Sequence, residues 1–415
     1  MTLAGTLSVS QAVAQEWDVV VIGAGVGGSL AARELARAGS RVLLIDKKSF
    51  PRRKVCGACL NGAALRVLAN AGLSERIAQL GGIPLTGFAV QYGGRRLKLP
   101  LPAGMSISRE ILDTALIQSA IAEGVEFLPE TSAAVTDDHS TAMKVAGWPG
   151  LERTHDAPER GVRTLVQTAK LTTDACRSIS LSQHQTKGVA LTRVIIVASG
   201  LGAPGLPATR EWKTESDDRS RIGIGCVVDD VAKEFDRGTI WMGVGPSGYV
   251  GLVRLENGRL NVAAAVDRQI LAECGTPGLA AKKILSEAGF SSPQTLLDAE
   301  WQGTVSLTRS THPVASRQVF VIGDAAGYVE PFTGEGMAWA MSSGIAVAPW
   351  ARRAIEGWSE QIEHGWAREH RRLIQRQQRK CRLVSRLLRS PNLLAVTVSL
   401  LKRWPWLARI AMNGT

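Results

Sequence analysis

The sequence predicts an α/β protein in three parts: a domain built on a parallel sheet, an inserted domain built on an antiparallel sheet, and a helical C-terminal region. Three observations support this prediction. A glycine-rich turn joins two continuous apolar runs near the N-terminus, β-type segments dominate residues 221–267, and residues 351–415 are basic with a helix-favouring composition.

The first element is a strand, turn, helix and strand in "EWDVVVIGAGVGGSLAARELARAGSRVLLIDKK". The runs 19–22 and 42–45 are apolar throughout, as expected for parallel strands that are buried on both faces. Between them, an Ala- and Leu-rich stretch predicts a helix over residues 29–38 that ends at Gly39.

The turn in this unit fits the pattern GxGxxG through Gly23, Gly25 and Gly28. The first glycine permits a tight turn, the second lets the backbone approach a pyrophosphate, and the third allows close packing of helix on strand. Asp46 follows the second strand, where its carboxylate can accept hydrogen bonds from a ribose. The unit therefore predicts a dinucleotide site without separating a nicotinamide from a flavin dinucleotide.

The next segments alternate between helix and strand. Helices are predicted in "NGAALRVLANAGLSERI" and "REILDTALIQSAIAEG", and the Gly-Gly in "GFAVQYGGRRLKLPL" predicts a hairpin. Residues 130–190 are weakly patterned, with one strand expected in "VRTLVQTAKL". The segments "LTRVIIVASG" and "RQVFVIGDAAG" each contain another buried strand.

A second motif, "VFVIGDAAGYVEPFTGEGMAWAMSSG", favours the flavin. Asp324 follows a buried strand and could accept hydrogen bonds from a ribityl chain, which NAD lacks. The turn 331–336 leads into a helix predicted from about Met337. Its free N–H groups and positive dipole end would stabilise negative charge on a reduced flavin ring.

With both motifs in place, the sequence resembles FAD-dependent oxidoreductases with the para-hydroxybenzoate-hydroxylase-type flavin fold, and within them the geranylgeranyl reductase-like branch. The resemblance spans about residues 17–350 and also includes "FPRRKVCGACL" and "SREILDTAL". It implies a Rossmann-like FAD-binding domain with an inserted antiparallel-sheet substrate domain. The FAD-binding domain would comprise residues 1–80, 106–205 and 306–350, the substrate domain 81–105 and 206–305, and the basic helical region 351–415.

The resemblance also assigns cofactor-binding roles to individual residues. Gly23, Gly25 and Gly28 would hold the pyrophosphate, Asp46 the adenosine ribose, and Asp324 the ribityl chain. The other cofactor-binding residues would be Lys47, Arg109 and the turn of Gly334, Glu335, Gly336 and Met337 beside the flavin. Taken alone, Arg109 would be a solvated arginine at a helix start.

Two departures from the family bear on the electron donor and the substrate. Hydroxylases of this superfamily have Asp-Gly where this chain has Ser199-Gly200, and that Asp-Gly is associated with binding both FAD and NAD(P)H. NAD(P)H therefore remains one candidate donor, and a ferredoxin-like or flavodoxin-like protein becomes another. In geranylgeranyl reductases a Tyr/Trp/Phe-Pro stretch of the substrate sheet lines the isoprenoid pocket. By resemblance Tyr249 is the candidate substrate residue here, but the Trp and the Phe-Pro are not kept. The tryptophan-halogenase run Trp-x-Trp-x-Ile-Pro is also absent, which argues against halogenation.

The Cys-x-x-Cys pair of Cys56 and Cys59 admits three interpretations. Zinc would need two further ligands, and the chain has no second CxxC and no HxxxH, so no metal is expected. Flavin disulfide reductases separate their cysteines by four residues and carry a second glycine fingerprint, and this chain does neither. By resemblance Cys56 lies at the flavin face, where it is the candidate proton donor or ring-packing residue, and Cys59 is incidental.

Charge is concentrated at the C-terminal end. Residues 351–415 carry fourteen Lys and Arg against four Glu, so they hold ten of the twelve net positive charges. This argues against a nucleic-acid partner for the whole protein. The basic helix followed by an apolar run at 393–401 suits either an interfacial helix on anionic lipid or a helical cap on the body. No signal peptide is evident, so we expect a cytoplasmic protein or one on the cytoplasmic membrane face.

These observations predict an FAD-dependent oxidoreductase that acts on a small apolar substrate, isoprenoid or polyketide-like, and reduces C=C bonds. One alternative is an FAD-dependent monooxygenase that hydroxylates or epoxidises an apolar or aromatic substrate. Another is a non-catalytic flavin-binding protein at a membrane surface.

Overall fold

A computed structural model of the chain describes residues 2–136, 177–207, 211–229, 234–330, 332 and 334–389. The strand predicted in "VRTLVQTAKL" and the apolar run at 393–401 lie outside these residues.

The strands are β1 (Glu16–Ile22), β2 (Val42–Ile45), β3 (Cys59–Asn61), β4 (Ile83–Pro84), β5 (Gly87–Tyr92), β6 (Arg95–Pro100), β7 (Gly104–Ser106), β8 (Glu126–Leu128), β9 (Ser132–Val135), β10 (Arg177–Gln183), β11 (Thr186–Val197), β12 (Lys213–Ser216), β13 (Ile222–Val228), β14 (Thr239–Gly245), β15 (Gly248–Arg254), β16 (Leu260–Val266), β17 (Gln302–Ser306), β18 (Arg309–His312), β19 (Ala315–Ser316), β20 (Val319–Val321) and β21 (Gly327–Tyr328). The helices are α1 (Val9–Val13), α2 (Val26–Arg37), α3 (Gly62–Asn70), α4 (Ser74–Ala78), α5 (Arg109–Ala122), α6 (Arg268–Cys274), α7 (Pro277–Ala288), α8 (Gly336–Glu356), α9 (Glu360–His370) and α10 (Arg376–Leu388), with 3₁₀ turns at Gln294–Leu296 and Gly323–Ala325 and a π-helical turn at Arg371–Gln375.

The first sheet contains the strands predicted to be buried. Its order is β19-β20-β11-β1-β2-β8, and the pairs from β20 to β8 are parallel. Val20 pairs with Leu43 on one side and with Ile195 on the other, and all three side chains are fully buried. Because parallel strands end at one edge of the sheet, the turns after β1, β2 and β11 come together there.

Helix α2 begins earlier than the sequence indicated. It starts at Val26 rather than near residue 29, with Gly25 in an extended N-cap conformation. Two glycines therefore lie inside its first turn despite their low helix propensity. Tertiary packing explains this, because a Cβ on Gly27 would collide with the backbone of α8 and a Cβ on Gly28 with the backbone of Gly23. The prediction for α8 itself, from about Met337, agrees with its start at Gly336.

The second sheet has the order β17-β13-β16-β15-β14-β5-β6, antiparallel except for the β14–β5 pair. The predicted hairpin is β5–β6, and it turns through Gly93 and Gly94, which both have positive φ. One face packs under α7 in a cluster that includes Trp241 and Ile284. The other face carries Phe88 and Tyr249 toward the first domain. The predicted fold class is therefore confirmed: a Rossmann-like domain, an antiparallel sheet and a helical C-terminal region.

The helices α9 and α10 follow the long helix α8, and the π-helical turn Arg371–Gln375 joins α9 to α10. Trp366 of α9 is fully buried and meets Phe320 of the first sheet edge to face, with ring centroids 6.2 Å apart. Farther along, the Gln378 side chain of α10 donates to the Gly327 carbonyl oxygen at 3.1 Å. Within the part of the chain that the structure describes, no helix is both long and apolar enough to cross a bilayer.

Candidate functional site

A single cavity of about 750 Å³ runs from the edge of the parallel sheet to the inner face of the antiparallel sheet. Its lining includes most of the residues singled out in the sequence: Gly23, Gly25, Asp46, Lys47, Cys56, Arg109, Tyr249, Asp324, Gly334, Gly336 and Met337. Gly28 and Glu335 stand behind this wall. The volume lies within the ~300–1,000 Å³ range that is usual for ligand and cofactor sites.

The three predicted glycines occupy the turn after β1, and each has a different surrounding. Gly23 has φ +107° and a Cβ there would lie 2.5 Å from the Ala198 carbonyl oxygen. A Cβ on Gly28 would lie 1.9 Å from the Gly23 oxygen, so no other residue fits. At Gly25 the space is open toward the guanidinium groups of Arg52 and Arg109. This turn can therefore bring backbone N–H groups and two arginines toward one anionic group.

Asp46 closes the same end of the cavity. Its Oδ2 accepts a hydrogen bond from the Ala24 N–H at 2.8 Å, and its Oδ1 accepts one from the Lys48 N–H at 3.0 Å. The residue is 8% exposed, while the neighbouring Lys47 side chain is exposed. The carboxylate thus holds the glycine turn in place and also lines the cavity.

Arg109 is not the solvated arginine that its position alone would indicate. It is 5% exposed, and its Nε and Nη2 donate to the two Asp113 carboxylate oxygens, each at 2.8 Å. Burial lowers the pKa of Arg109, but Asp113 and the Cys56 thiol beside it outweigh that effect and raise the pKa overall. The guanidinium is therefore a fixed cation at the cavity wall, in contact with Cys56.

Asp324 pairs with Lys54 at the cavity wall, and its Oδ2 lies 3.7 Å from the Lys54 Nζ. Burial lowers the pKa of Lys54, Arg109 lowers it further, and Asp324 acts in the opposite direction. Beyond Asp324 the chain reaches Gly334, which has φ +83°, and α8 begins at Gly336 with its N-terminus toward the cavity. The structure thereby brings a carboxylate, an amine and a helix N-terminus together.

The two cysteines of the CxxC pair are both free thiols but have different partners. The Cys56 Sγ accepts a hydrogen bond from the Ala58 N–H at 3.4 Å, whereas the Cys59 S–H donates to the Gly57 carbonyl oxygen at 3.0 Å. Burial raises the pKa of Cys59, and Cys56 raises it further. Among the described residues, no group of His, Cys, Asp and Glu could hold a metal ion.

Comparison with known proteins agrees with this geometry. Residues 16–150 match the family described as FAD binding domain. Over 346 residues the chain is 27% identical to a menaquinone reductase of Mycobacterium tuberculosis, covering 79% of this chain and 74% of that protein. It is 26% identical to digeranylgeranylglycerophospholipid reductase 2 of Methanosphaera stadtmanae, covering 82% and 79%. A squalene monooxygenase of Candida glabrata is 31% identical over 86 residues, which is 21% of this chain and 18% of that protein.

Residues 16–150 are about a third of the chain, and the two reductases align with about four fifths of it. This chain is an FAD-dependent oxidoreductase. Among the solved structures that share its fold is a flavin-dependent brominase, with a TM-score of 0.71, 18% identity and coverage of 96% of this chain and 93% of that one. Another is a geranylgeranyl bacteriochlorophyll reductase-like protein of Thermoplasma acidophilum, with a TM-score of 0.70, 18% identity and coverage of 93% and 91%.

The cavity of this flavoprotein suits FAD on grounds of its own. Two buried polar atoms in its wall, Ser199 Oγ and Arg52 Nε, have no hydrogen-bond partner within the described ranges. Buried polar atoms are normally paired, so these two point to a polar ligand. Gly25 and Arg109 would face the pyrophosphate, Asp46 the ribose, and Asp324 the ribityl chain.

Sequence reasoning missed two cations of this wall, Arg52 and Lys54. Arg52 lies 3.7 Å from Asp46 and 3.6 Å from Asp113, and its guanidinium stacks over Phe50. The Lys54 amine pairs with the Asp324 carboxylate. The basic run in "FPRRKVCGACL" was the available signal for Arg52 and Lys54, but nothing in it shows which of its cations point inward.

Proposed function

We propose that this flavoprotein reduces C=C bonds in an apolar, isoprenoid-type substrate. The observation that carries the proposal is the continuity of the cavity. It joins the charged end around Asp46 and Arg109 to the inner face of the antiparallel sheet, where its wall is apolar: Phe88, Ile240, Met242, Leu252, Val253 and Ala264. Such a wall suits a hydrocarbon chain. Bound FAD would supply hydride-transfer chemistry, and the protein would orient the substrate.

The relatives favour reduction over oxygenation. The two reductases match along about four fifths of this chain, including the antiparallel sheet that lines the substrate end. The similarity to squalene monooxygenase covers 21% of this chain. A monooxygenase acting on an apolar substrate is therefore the second candidate.

For the electron donor we propose a ferredoxin-like or flavodoxin-like protein rather than NAD(P)H. Ser199-Gly200 stands at the position where an Asp-Gly would support a nicotinamide donor. Lys54 also lies at this position, because its Nζ is 3.6 Å from the place that a Cβ on Gly200 would occupy. A rapid-mixing comparison of NADPH with reduced ferredoxin, following bleaching of bound FAD, tests this. Bleaching by NADPH at the same rate would contradict the proposal.

Anaerobic turnover tests the reductase proposal itself. The protein is loaded with FAD, reduced with dithionite in the absence of oxygen, and mixed with geranylgeraniol. We expect reoxidation of the flavin coupled to the gain of two hydrogen atoms by the substrate, as measured by mass spectrometry. If product forms only when air is admitted and carries an added oxygen atom, the monooxygenase is correct. If no product forms either without oxygen or after air is admitted, both proposals are contradicted.

We further propose that the C-terminal region contacts anionic membranes. On α10 the exposed face combines Arg379 and Arg382 with Leu383, which is 69% exposed. Cations beside exposed apolar groups suit an interfacial helix. In co-sedimentation with phosphatidylglycerol vesicles, a truncation before Ser390 and the variant Arg379→Glu/Arg382→Glu should each bind less than the full chain. Equal binding by all three would reject the membrane contact.

A further inference from the structure

Behind Tyr249, at the substrate end of the cavity, lies a network of four charged side chains. Arg221 donates from Nη1 to Glu330 Oε1 at 3.2 Å and from Nε to Asp267 Oδ1 at 3.3 Å. Arg389, just after α10, approaches the same two carboxylates at 3.7 and 3.8 Å. The Arg221 and Glu330 side chains are each 1% exposed. The network therefore links three distant parts of the chain, with Arg221 and Glu330 at its buried centre.

A buried ion pair of this kind does not by itself stabilise a fold, since the desolvation of its charges opposes their attraction. Its position gives it another role. The Glu330 carboxylate lies close enough to Tyr249 to raise the pKa of its phenol, and the Arg221 guanidinium lies 5.7 Å from the centre of the Tyr249 ring. Phe332 meets the same ring edge to face at 5.1 Å. Tyr249 is thus held from three sides in one orientation.

Tyr249 is in contact with the cavity, whereas Glu330 and Arg221 lie behind it. The phenol is therefore a polar group set into a mostly apolar wall that includes Phe88, Met242 and Phe332. Burial raises the pKa of Tyr249, and Glu330 raises it further, so the hydroxyl keeps its proton at neutral pH. A neutral phenol can both donate and accept a hydrogen bond.

We propose that Tyr249, positioned by Glu330 and Arg221, binds an oxygen-bearing end of the substrate. This inference rests on the proposed function and narrows its substrate class: the protein takes an isoprenoid that carries a hydroxyl or carbonyl oxygen and discriminates against the bare hydrocarbon. A bare hydrocarbon would bury the Tyr249 hydroxyl without giving it a hydrogen-bond partner. Sites built to hydrogen-bond a ligand oxygen reject the analogue that lacks it.

Binding of a matched pair tests this proposal without any turnover. Farnesol and the hydrocarbon farnesene are titrated into the FAD-loaded full chain, and quenching of tryptophan fluorescence gives the two dissociation constants. For each variant we compare the ratio of the farnesol and farnesene dissociation constants, because this ratio does not depend on the amount of folded protein. Tyr249→Phe should shift the ratio against farnesol by about tenfold and leave farnesene binding nearly unchanged.

Three further variants separate recognition from folding. Glu330→Gln and Arg221→Lys should move the ratio in the same direction by less, since they loosen the tyrosine without removing its hydroxyl. A purely structural role for them would weaken both ligands alike and leave the ratio unchanged. Tyr92→Phe is the matched control, because Tyr92 does not line the cavity, and its ratio should equal that of the wild type.

The failure of this proposal differs from the failure of the proposed function. If both ligands bind and Tyr249→Phe keeps the wild-type ratio, the oxygen site is wrong while an isoprenoid substrate still stands. If neither ligand binds the wild type, the isoprenoid substrate is wrong, and the oxygen site falls with it.

Discussion

Gly344 and Gly27 meet backbone to backbone where α8 crosses α2. A Cβ on Gly344 would lie 2.2 Å from the Gly27 carbonyl oxygen, and a Cβ on Gly27 would lie 2.6 Å from the Ala340 oxygen. Neither obstacle is a flexible side chain. This contact sets how closely the helix after the predicted flavin turn approaches the helix after the glycine turn.

Gly344→Ala should therefore destabilise the protein, because the added methyl group forces the two helices apart. We expect a loss of about 1–3 kcal/mol in the free energy of unfolding, measured by urea denaturation. Gly62→Ala in α3 is the control, because its Cβ would meet Arg66 at an ordinary 3.4 Å. Equal stability of the two variants would show that α2 and α8 can separate freely.

Asp46→Ala should weaken FAD binding. The carboxylate pairs with the N–H groups of Ala24 and Lys48, so its loss frees the glycine turn and removes the predicted ribose contact. Hydrogen bonds to a charged group are worth about 1.5–3 kcal/mol, which corresponds to a rise of tenfold or more in the dissociation constant. Isothermal titration with FAD measures it. Asp18→Ala serves as the control, because Asp18 lies near the other end of β1 beside Arg41; an equal effect there would contradict the role of Asp46.

Cys56→Ala and Cys59→Ala should behave differently. Cys56 touches the buried cation Arg109, whereas the Cys59 S–H is bonded to the Gly57 carbonyl and has a raised pKa. We expect Cys56→Ala to alter the visible spectrum of bound FAD and to lower turnover, and Cys59→Ala to leave both nearly unchanged. Similar effects of the two substitutions would indicate a redox pair.

His370 should make stability depend on pH. It is 2% exposed, and neither ring nitrogen has a hydrogen-bond partner among the residues described. Burial lowers the pKa of His370 from 6.5 to about 4, with His312 adding to the effect. Between these values the unfolded chain binds the proton and the folded chain does not, so stability falls as pH decreases from 6.5 to 4.

The measurement is the urea midpoint at pH 7 and at pH 5 in the wild type and two variants. His370→Phe should lose the part of the pH dependence that this histidine contributes, which is about 2 kcal/mol between these two pH values. His364→Gln, on the exposed face of the same helix, should keep the wild-type dependence. A His370→Phe protein with an unchanged pH profile would refute the assignment.

Local sequence patterns were enough to predict the cofactor-binding half of the site. The buried strands β1 and β2, the glycine turn between them and Asp46 lie within about thirty residues, so hydrophobic runs and glycine spacing specify their arrangement directly. The position of Asp324 and the start of α8 could likewise be predicted from the sequence, because a strand, a turn and a helix follow one another there. The predicted start of α2, near residue 29, was too late, because Gly27 in its first turn packs against α8, which is distant in the sequence.

The sequence by itself thus determined the α/β class and the predicted dinucleotide end of the cavity. Only the tertiary structure decided which cations face that end, how the two cysteines differ, and what stands behind Tyr249. Arg221, Glu330 and Arg389 come from three separate regions of the chain and meet because the antiparallel sheet, the turn before α8 and the end of α10 pack together. Hydrophobic periodicity cannot predict such a contact, because the contact depends on how whole elements pack and not on their local residue pattern.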